Sequence, residues 1–463
     1  MKVILIYPGV GVSENKNEEK SRAVPTILMP LGLLYIGQFL KNNGHTVNLF
    51  DHFVSNLSVK ELVNWIKKLN PDVLGFSVVN ANLFTANAIA KAAKAWNPNL
   101  YIIYGGYLPT FCAQEILTAS KYVDFCVRGE GEYIITELID ALERGIPVDD
   151  ILGITYRDNG KVIENPDRPL IKNLDILPFP DRDLIKQSYL YHGKITTIIS
   201  SRGCPFNCRF CSCWKFSRRK WRLRSIKNVI DEMLYLQAKG FNELIFTDDC
   251  FTAKKDRVLK LSYLMKKEKL DFAWHCLGRV TQSELQFLRT MVNAGLKTLT
   301  YGIESANQRI LDYYNKRATP EMAINAVKKA KKAGIESIGA GFIIGAPTET
   351  REEVLNTINF GSKLQKIGLS FLQHQILYIA PGTQLYEDCI AQGLINPKTD
   401  WDHAIPAVDL YPDSLKREYL LALSERSFKD FLTNKRYIIH EFLKSVKSSY
   451  RLQAIFHLLQ RKS

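Results

Sequence analysis

Twice along this chain, short β-branched runs alternate with amphipathic helical stretches, and that alternation limits the fold to α/β layers built on parallel sheets. In the first series the spacing predicts strands at Val3 to Tyr7, Thr46 to Phe50, Val73 to Val79, Leu100 to Tyr104 and Tyr122 to Val127. Between them, Leu31 to Asn43 stops at Gly44 as a helix should, Val59 to Leu69 is amphipathic, and Leu83 to Trp96 is rich in Ala. The expectation for residues 1–145 is a doubly wound parallel sheet, and ligands of such sheets sit beyond the carboxyl ends of the strands. The residues there are Pro8 and Gly9, Asp51, Ser77, Gly105 with Gly106, and Arg128 with Gly129, Glu130 and Gly131. Paired glycines after a strand let a backbone approach a bulky ligand closely, and they equally suit a plain tight turn.

Residues 146–194 carry Pro166, Pro169, Pro178 and Pro180 with little periodicity, which reads as a connector holding one hairpin. The second series then supplies strands at Ile195 to Ser200, Glu243 to Asp248, Phe272 to Cys276, Thr298 to Ile303, Ser337 to Ile344 and Phe371 to Ile379. Six strands are too few to close an eight-stranded barrel, so residues 195–385 are expected to form a partial, laterally open (β/α)6 barrel of the TIM type. From 386 to 463 strand signals vanish. Residues 414–463 hold eleven Lys and Arg against four Asp and Glu, interleaved with apolar positions such as Phe428, Phe431, Leu432, Ile438 and Ile439. Such a basic helical tail either packs on the barrel with a solvated outer face or makes a peripheral contact with a membrane or an acidic partner.

Composition narrows the class without naming a function. With 463 residues, 46% apolar and 24% charged, the chain holds enough for more than one core and fits neither a disordered tail nor a disulfide scaffold. The net charge of +15 favours anionic partners, whether nucleic acid, lipid or phosphorylated cofactor. The opening MKVILIYPGVGV reads as a buried strand rather than an export signal, because Pro8 and Gly9 interrupt it and the polar Glu14 to Lys20 follows. No stretch reaches the roughly 20 apolar residues that span a bilayer. A soluble, cytoplasmic protein is expected, and nine cysteines with three inside eight positions suit a metal site in a reducing compartment.

That cluster is Cys204-Pro205-Phe206-Asn207-Cys208-Arg209-Phe210-Cys211, directly after the first strand of the second series. Thiolates spaced C-x3-C-x2-C on one loop can hold three corners of a cubic iron–sulfur cluster and leave the fourth iron open for chemistry. Two other readings compete: a four-thiolate zinc site completed by Cys213, or inert buried thiols. Cys211 and Cys213 are only two apart, which strains tetrahedral ligation, and three cysteines in a polar, Arg-containing loop are unlike a core.

With Phe210 as its aromatic residue, the loop resembles the signature of the radical S-adenosylmethionine superfamily, whose fold is a partial six-stranded barrel. The resemblance implies that Cys204, Cys208 and Cys211 ligate a 4Fe–4S cluster and that Phe210 lies near the adenine of S-adenosylmethionine. Thr247-Asp248-Asp249 falls where the superfamily usually has a Gly-Gly-Glu turn on the methionine amino group; the glycines are absent, so Asp248 and Asp249 depart from that pattern. Glu304 is a candidate for ribose or methionine contacts. Gly341, Ile343 and Gly345 resemble a G-x-I-x-G adenine-supporting strand, and Ile379 a sixth-strand adenine contact. Arg279 is a candidate partner for the methionine carboxylate. The chemistry implied is one-electron cleavage of the sulfonium, followed by hydrogen abstraction from an unactivated carbon.

The layout as a whole resembles the cobalamin-binding subclass of that superfamily. The segments that carry this likeness are Pro30 to Ile36, Gly44-His45-Thr46-Val47, Pro71 to Ser77, Gly105-Gly106 and Arg128 to Glu132. Residues 1–145 would then be a Rossmann-like cobalamin domain, with Pro8, Gly9, Ser77, Gly105, Gly106 and Glu130 beside the corrin or its nucleotide tail. The D-x-H-x-x-G string that supplies a cobalt-ligating His is missing; His45 and His52 lie nearby without the right neighbours. Either cobalamin binds with no protein His on cobalt, or the domain has lost the cofactor.

The leading expectation is a methyltransferase acting on a small molecule or lipid, served by a one-electron donor such as flavodoxin or ferredoxin. A radical cyclase or ring-rearranging enzyme of the same architecture is the alternative. A tRNA methylthiotransferase is disfavoured, since the first domain offers only Cys112 and Cys126 toward the three further cysteines a second cluster needs, and no nucleic-acid partner is expected. His275, Trp274, Tyr301, His374 and Tyr378 are read as barrel-mouth residues of generic type.

Overall fold

A computed structural model describes residues 1–10, 28–55, 57–185, 195–396, 412, 415–434 and 437–439. Glu14 to Lys20, the end of the connector and most of the basic tail lie outside the described residues. Two compact units divide the chain: Met1–Tyr191 with Lys215–Arg218 and Ala380–Ala407, and His192–Trp214 with Arg219–Ile379 and Val408–Ser463.

In the first unit a seven-stranded sheet forms from β1 (Lys2–Tyr7), β2 (Thr46–Asp51), β3 (Val73–Ser77), β4 (Tyr101–Gly105), β5 (Phe125–Val127), β6 (Ile154–Asp158) and β7 (Lys161–Glu164). Its order is β2-β1-β3-β4-β5-β6-β7. The first five strands are parallel, and β6 and β7 join antiparallel. Crossovers are made by α1 (Leu31–Asn42), α2 (Val59–Leu69), α3 (Leu83–Trp96) and α4 (Tyr107–Ala119), and α5 (Gly131–Arg144) follows β5. Local chemistry sets several ends: Ser58 and Glu61 make a reciprocal capping box at the start of α2, and Asn70 and Gly145 close α2 and α5 in the left-handed region. Ile4, Ile6, Leu74, Phe76, Ile102 and Tyr104 are buried in one cluster with Ile66, Ile89 and Ile116 of the helices. At roughly 1.5–3 kcal/mol per buried large apolar side chain, such contacts hold the sheet in its layer.

Strand β3 stops two residues before the expected Val79. The Val78 amide turns to Gly105 O at 2.7 Å, and the Val79 amide is taken by Asn82 Oδ1 at 2.8 Å, so the ladder ends there. The hairpin expected in the connector is β6 and β7. Its turn is Asn159-Gly160, both at positive φ, the conformation that continues the twist of a tight hairpin.

The second unit holds β8 (Ile195–Ile198), a two-stranded ribbon of β9 (Ser201–Arg202) and β10 (Arg222–Leu223), then β11 (Glu243–Phe246), β12 (Ala273–Gly278), β13 (Leu296–Glu304), β14 (Ser337–Ile344) and β15 (Phe371–Ile376). Six parallel strands in the order β15-β14-β13-β12-β11-β8 make the barrel wall, and the two ends of the sheet do not pair with each other, so the barrel is open as expected. The helices along this part of the chain are α6 (Cys213–Phe216), α7 (Ile226–Ala238), α8 (Lys255–Lys267), α9 (Leu285–Asn293), α10 (Gln308–Tyr313), α11 (Pro320–Ala333), α12 (Arg351–Ile367), α13 (Gln384–Ala391) and α14 (Arg417–Thr433), of which α13 and the end of α6 belong to the first unit. In β14, Ile338, Ala340, Phe342 and Ile344 are buried toward the helices, while Gly339, Gly341 and Ile343 fall on the other face, the period of two that a strand imposes. Among the described residues no helix is long and apolar enough to cross a membrane.

Trp274 and Tyr301 were expected at the barrel mouth, but both are buried in the layer between strands and helices. His374 is also withdrawn from the mouth: its Nδ1 lies 3.2 Å from Ser427 Oγ of α14, and its ring stacks on Phe342. On an alternating strand, one residue of error in the assumed register sends a side chain to the opposite face. His275, on the face of β12 opposite Trp274, pairs with Glu243 Oε1 at 2.6 Å at the amino end of β11 and so away from the mouth, and Tyr378 is exposed.

Candidate active site

The cysteine loop leaves β8 over a base built to hold it still. Arg224, buried, donates to Ile199 O at 2.7 Å and to the buried Glu232 at 2.5 Å. Asp248, at the end of β11, accepts from Ser200 N at 2.9 Å, Ser200 Oγ at 2.8 Å and Ser201 Oγ at 2.5 Å. Those three bonds compensate the burial that pushes its carboxyl above the ordinary range. Asp248 is therefore spent on the entry to the loop. Asp249, exposed, accepts from Gly203 N at 3.0 Å and from Cys213 Sγ at 3.2 Å.

Within the loop, Cys211 N donates to Cys208 O at 3.1 Å, and Trp214 Nε1 donates to the same carbonyl at 3.1 Å. Arg209 N donates to Tyr314 O at 3.0 Å, and the Phe210 ring meets Tyr314 edge-on at 5.1 Å. None of the cysteines forms a disulfide among the described residues. A hydrogen bond with Cys250 draws the Cys204 thiol down to about 7 against its burial, while Cys250 is pushed up. Cys211 is lowered by hydrogen bonds with Cys213, and Cys208 is raised by burial while Lys316 and Arg279 oppose that rise. Three thiols on one loop, two of them acidified and the third beside two cations, form a donor set suited to an iron–sulfur cluster. Cys213, the thiol a zinc site would recruit, donates to Asp249 and also hydrogen-bonds Cys211.

Arg279 is buried, its guanidinium carbon lies 3.8 Å from the centre of the Phe206 ring, and it donates to Lys316 O while Nη1 sits 3.9 Å from Cys208 Sγ. Glu304 ends β13 at φ 71°, an uncommon conformation for a residue with a Cβ, and accepts from Lys316 Nζ at 2.5 Å. Gly341 has open space where a Cβ would stand, on the same face as Ile343, which leaves a shelf against which a flat ring can lie. Gly345, at φ 86°, donates to Glu349 Oε2 at 2.7 Å and so turns the chain sharply after β14. Ile379, buried, follows β15. Sequence reasoning did not find Cys250, Lys316 or Glu349. Cys250 stands next to two aspartates already singled out, whereas Lys316 and Glu349 sit in no recognisable motif.

In the first unit, Pro8, Gly9, Ser77, Gly105, Gly106 and Glu130 all lie at the carboxyl edge of the parallel strands, and β1 and β3 flank the point where strand order reverses. Gly106, at φ 105°, has Val78 O only 3.0 Å from where a Cβ would be, so nothing larger fits. Glu130 Oε2 accepts from Ile171 N at 2.8 Å. His52 is buried with both ring nitrogens engaged: Gly9 N donates to Nδ1 at 3.2 Å, and Nε2 bonds Leu57 O at 2.9 Å, which assigns its proton to Nε2. Burial also lowers its pKa, so the ring is neutral. His45 lies before β2, at the other end of the strands, 3.1 Å from Asp140. This edge offers glycines and strand ends to a ligand, and neither His52 nor His45 has a free nitrogen. Cys112 and Cys126 are buried in the core, where burial raises both thiols.

The family model described as the radical SAM superfamily matches residues 198–361, and that of a B12 binding domain matches residues 22–139. An uncharacterized methyltransferase of Pyrococcus horikoshii is 38% identical over 398 residues, which span 85% of this chain and 84% of the relative. An anaerobic magnesium-protoporphyrin IX monomethyl ester cyclase of Rubrivivax gelatinosus is 29% identical over 430 residues, 90% of this chain and 76% of the relative. Among solved structures, TsrM of Kitasatospora setae, a radical S-adenosylmethionine methyltransferase with cobalamin and a 4Fe–4S cluster bound, has a TM-score of 0.69 at 17% identity. That likeness covers 84% of this chain and 78% of TsrM, and it is a likeness of fold.

Proposed function

This chain belongs to the radical S-adenosylmethionine superfamily and carries a B12 binding domain, and from that premise we propose that it is a cobalamin-dependent methyltransferase acting on an unactivated carbon of a natural product or lipid. Its cofactors are a 4Fe–4S cluster, S-adenosylmethionine and cobalamin. When bound, they supply one-electron cleavage of a carbon–sulfur bond, hydrogen abstraction and a transferable methyl group.

The observation that carries the reading is the presence in one chain of the C-x3-C-x2-C loop after β8 and of a B12 domain whose edge is lined with glycine. Residues 195–385 work on S-adenosylmethionine, residues 1–145 hold the corrin, 146–194 connect them and 386–463 form the helical region. Cys204, Cys208 and Cys211 hold the cluster, and Asp248 fixes the loop that carries them. Asp249, Arg279 and Glu304 orient the polar methionine and ribose groups, while Phe210, Gly341, Ile343, Gly345 and Ile379 support the adenine and exclude water. Pro8, Gly9, Ser77, Gly105, Gly106 and Glu130 line the corrin.

The relative from Pyrococcus horikoshii, named a methyltransferase, supports the methyl-transfer reading. The cyclase relative, matched along 90% of this chain, favours a second one, ring formation without methyl transfer. Product mass decides between them after anaerobic reconstitution and turnover on a candidate substrate. A gain of one CH2 unit supports methyl transfer, and a product without it supports the cyclase. The net charge of +15 suits an acidic one-electron donor of the flavodoxin or ferredoxin kind. Exposed Leu421, Phe428 and Leu432 on one face of α14, within a basic region, support a peripheral contact with anionic lipid.

A further inference from the structure

The turn after α10 meets three of the residues assigned to S-adenosylmethionine. Lys316 stands buried at its end, and Nζ donates to Glu304 Oε1 at 2.5 Å. The same ammonium lies 5.9 Å from the centre of the Phe210 ring, and the Lys316 carbonyl accepts from Arg279 Nη2. The turn is itself tied to the cysteine loop. Tyr314 O accepts from Arg209 N at 3.0 Å, Tyr313 O accepts from Arg209 Nη1 at 3.2 Å, and Asn315 Nδ2 donates to Asn207 Oδ1 at 2.9 Å. Asn315 and Arg317 take φ of 53° and 51°, so the chain bends on both sides of Lys316 in a conformation that persists only where the surroundings hold it. Glu304 spends Oε1 on Lys316, and Oε2 takes no hydrogen bond among the described residues although the side chain is only 10% accessible. A nearly buried carboxylate oxygen without a donor is an acceptor open to a ligand's hydroxyl or ammonium.

We propose that Lys316 is a positioning residue for S-adenosylmethionine: its ammonium holds Oε1 of Glu304 so that Oε2 is presented to the ribose or methionine group, while its carbonyl sets the Arg279 guanidinium. The proposal rests on the reading that Glu304 and Arg279 orient that cofactor. Two contact residues fixed by one neighbour keep a set spacing, and the turn that carries this neighbour keeps them in register with the cysteine loop. Lysine suits the task, because a compact ammonium on a four-carbon stem reaches Glu304 and its charge offsets that of the buried carboxylate. An apolar side chain at position 316 leaves Glu304 without its anchor, and groups that support a ligand-holding residue are typically worth about 10–100-fold in affinity or activity at metal sites. Lys316 therefore acts through Glu304, and loss of the one should be felt only while the other is present.

The test uses the full chain, anaerobically reconstituted, as wild type, Glu304→Gln, Lys316→Met and the double variant. Iron and sulfide per chain are measured first, then the affinity for labelled S-adenosylmethionine by equilibrium dialysis. The change that S-adenosylmethionine makes in the electron paramagnetic resonance of the reduced cluster is recorded beside it. The expected result is wild-type iron throughout, binding weakened about tenfold or more in Lys316→Met with a diminished resonance change, and a double variant that binds no more weakly than Glu304→Gln alone. Losses that add in the double variant overturn the proposal, because Lys316 then acts without Glu304. So does wild-type affinity in Lys316→Met, and so does loss of its iron, since the lysine then supports the cluster loop instead. Should methionine unfold the chain, Lys316→Gln, shorter and uncharged, replaces it: the same loss of affinity supports the proposal and wild-type affinity refutes it. Failure of the underlying reading looks different, as Glu304→Gln that binds S-adenosylmethionine like wild type.

Discussion

The Lys316 ammonium lies 2.5 Å from Glu304 Oε1 with both residues buried, and the missing side chain of Gly302 is what makes room for the pair. A Cβ on Gly302 would stand 2.5 Å from that oxygen and 3.0 Å from Nζ. Removing one partner of a buried ion pair strands the other, at a cost of about 3–5 kcal/mol. Lys316→Met should lose that much stability in denaturant titration, and adding Glu304→Gln should recover part of it. Equal stability of wild type and Lys316→Met would show that the pair is solvated.

Substituting Ala singly for Cys204, Cys208 or Cys211 should abolish both iron content and cleavage of S-adenosylmethionine, whereas Cys213→Ala should keep both, since Cys213 bonds Asp249. Iron analysis and chromatography of the cleavage products check this. Full cleavage by a variant lacking all three loop cysteines would end the assignment.

His52 tethers Gly9 to Leu57, with both ring nitrogens engaged. His52→Leu should therefore retain bound corrin with an unchanged visible spectrum. It should lose about 1–3 kcal/mol from two broken hydrogen bonds. Nitrogen splitting from a protein imidazole in the paramagnetic resonance of the reduced cobalamin form would contradict the assignment.

Glu349 makes stability depend on pH. Burial raises its carboxyl from the ordinary 4.5 to about 7, although Gly345 and Ala346 amides oppose the shift. The folded chain then keeps a proton that the unfolded chain releases between those values. Stability should fall as pH rises from about 4.5 to 7 and level off above, a change of about 3 kcal/mol for such a shift. Denaturation midpoints collected across that range should show a flatter profile for Glu349→Gln. An identical slope in the variant would assign the pH dependence elsewhere.

Leu421, Phe428 and Leu432 form the exposed apolar stripe of α14. Replacing the three with Ser should weaken cosedimentation with vesicles of anionic lipid at least tenfold and leave iron content unchanged. Wild-type protein that ignores such vesicles removes the lipid contact.

The parallel strands and the cysteine loop were legible because each is a local pattern: a period of two with turn residues between, or thiols at fixed spacing. Alternation located β14 to the residue. It did not say which parity faced the helices, and for that reason Trp274, Tyr301 and His374 were expected at the mouth. Cys250 came beside Cys204 only because Asp248 and Asp249 lace two distant segments together. Lys316 reaches Glu304 after an intervening helix, and nothing in the residues between them announces the pairing. Contacts between elements are decided by packing, which sequence periodicity does not encode.

Strand β5, three residues long, would without its antiparallel neighbours leave bare amides and carbonyls at the margin of the first sheet. The hairpin fills that margin and ends it in the four-residue β7, which carries Lys161 and Glu164 and shows little inviting backbone to a neighbouring molecule. A stretch that reads as mere linkage thus acts as insulation, keeping one copy of the protein from zipping onto the next while it is being made.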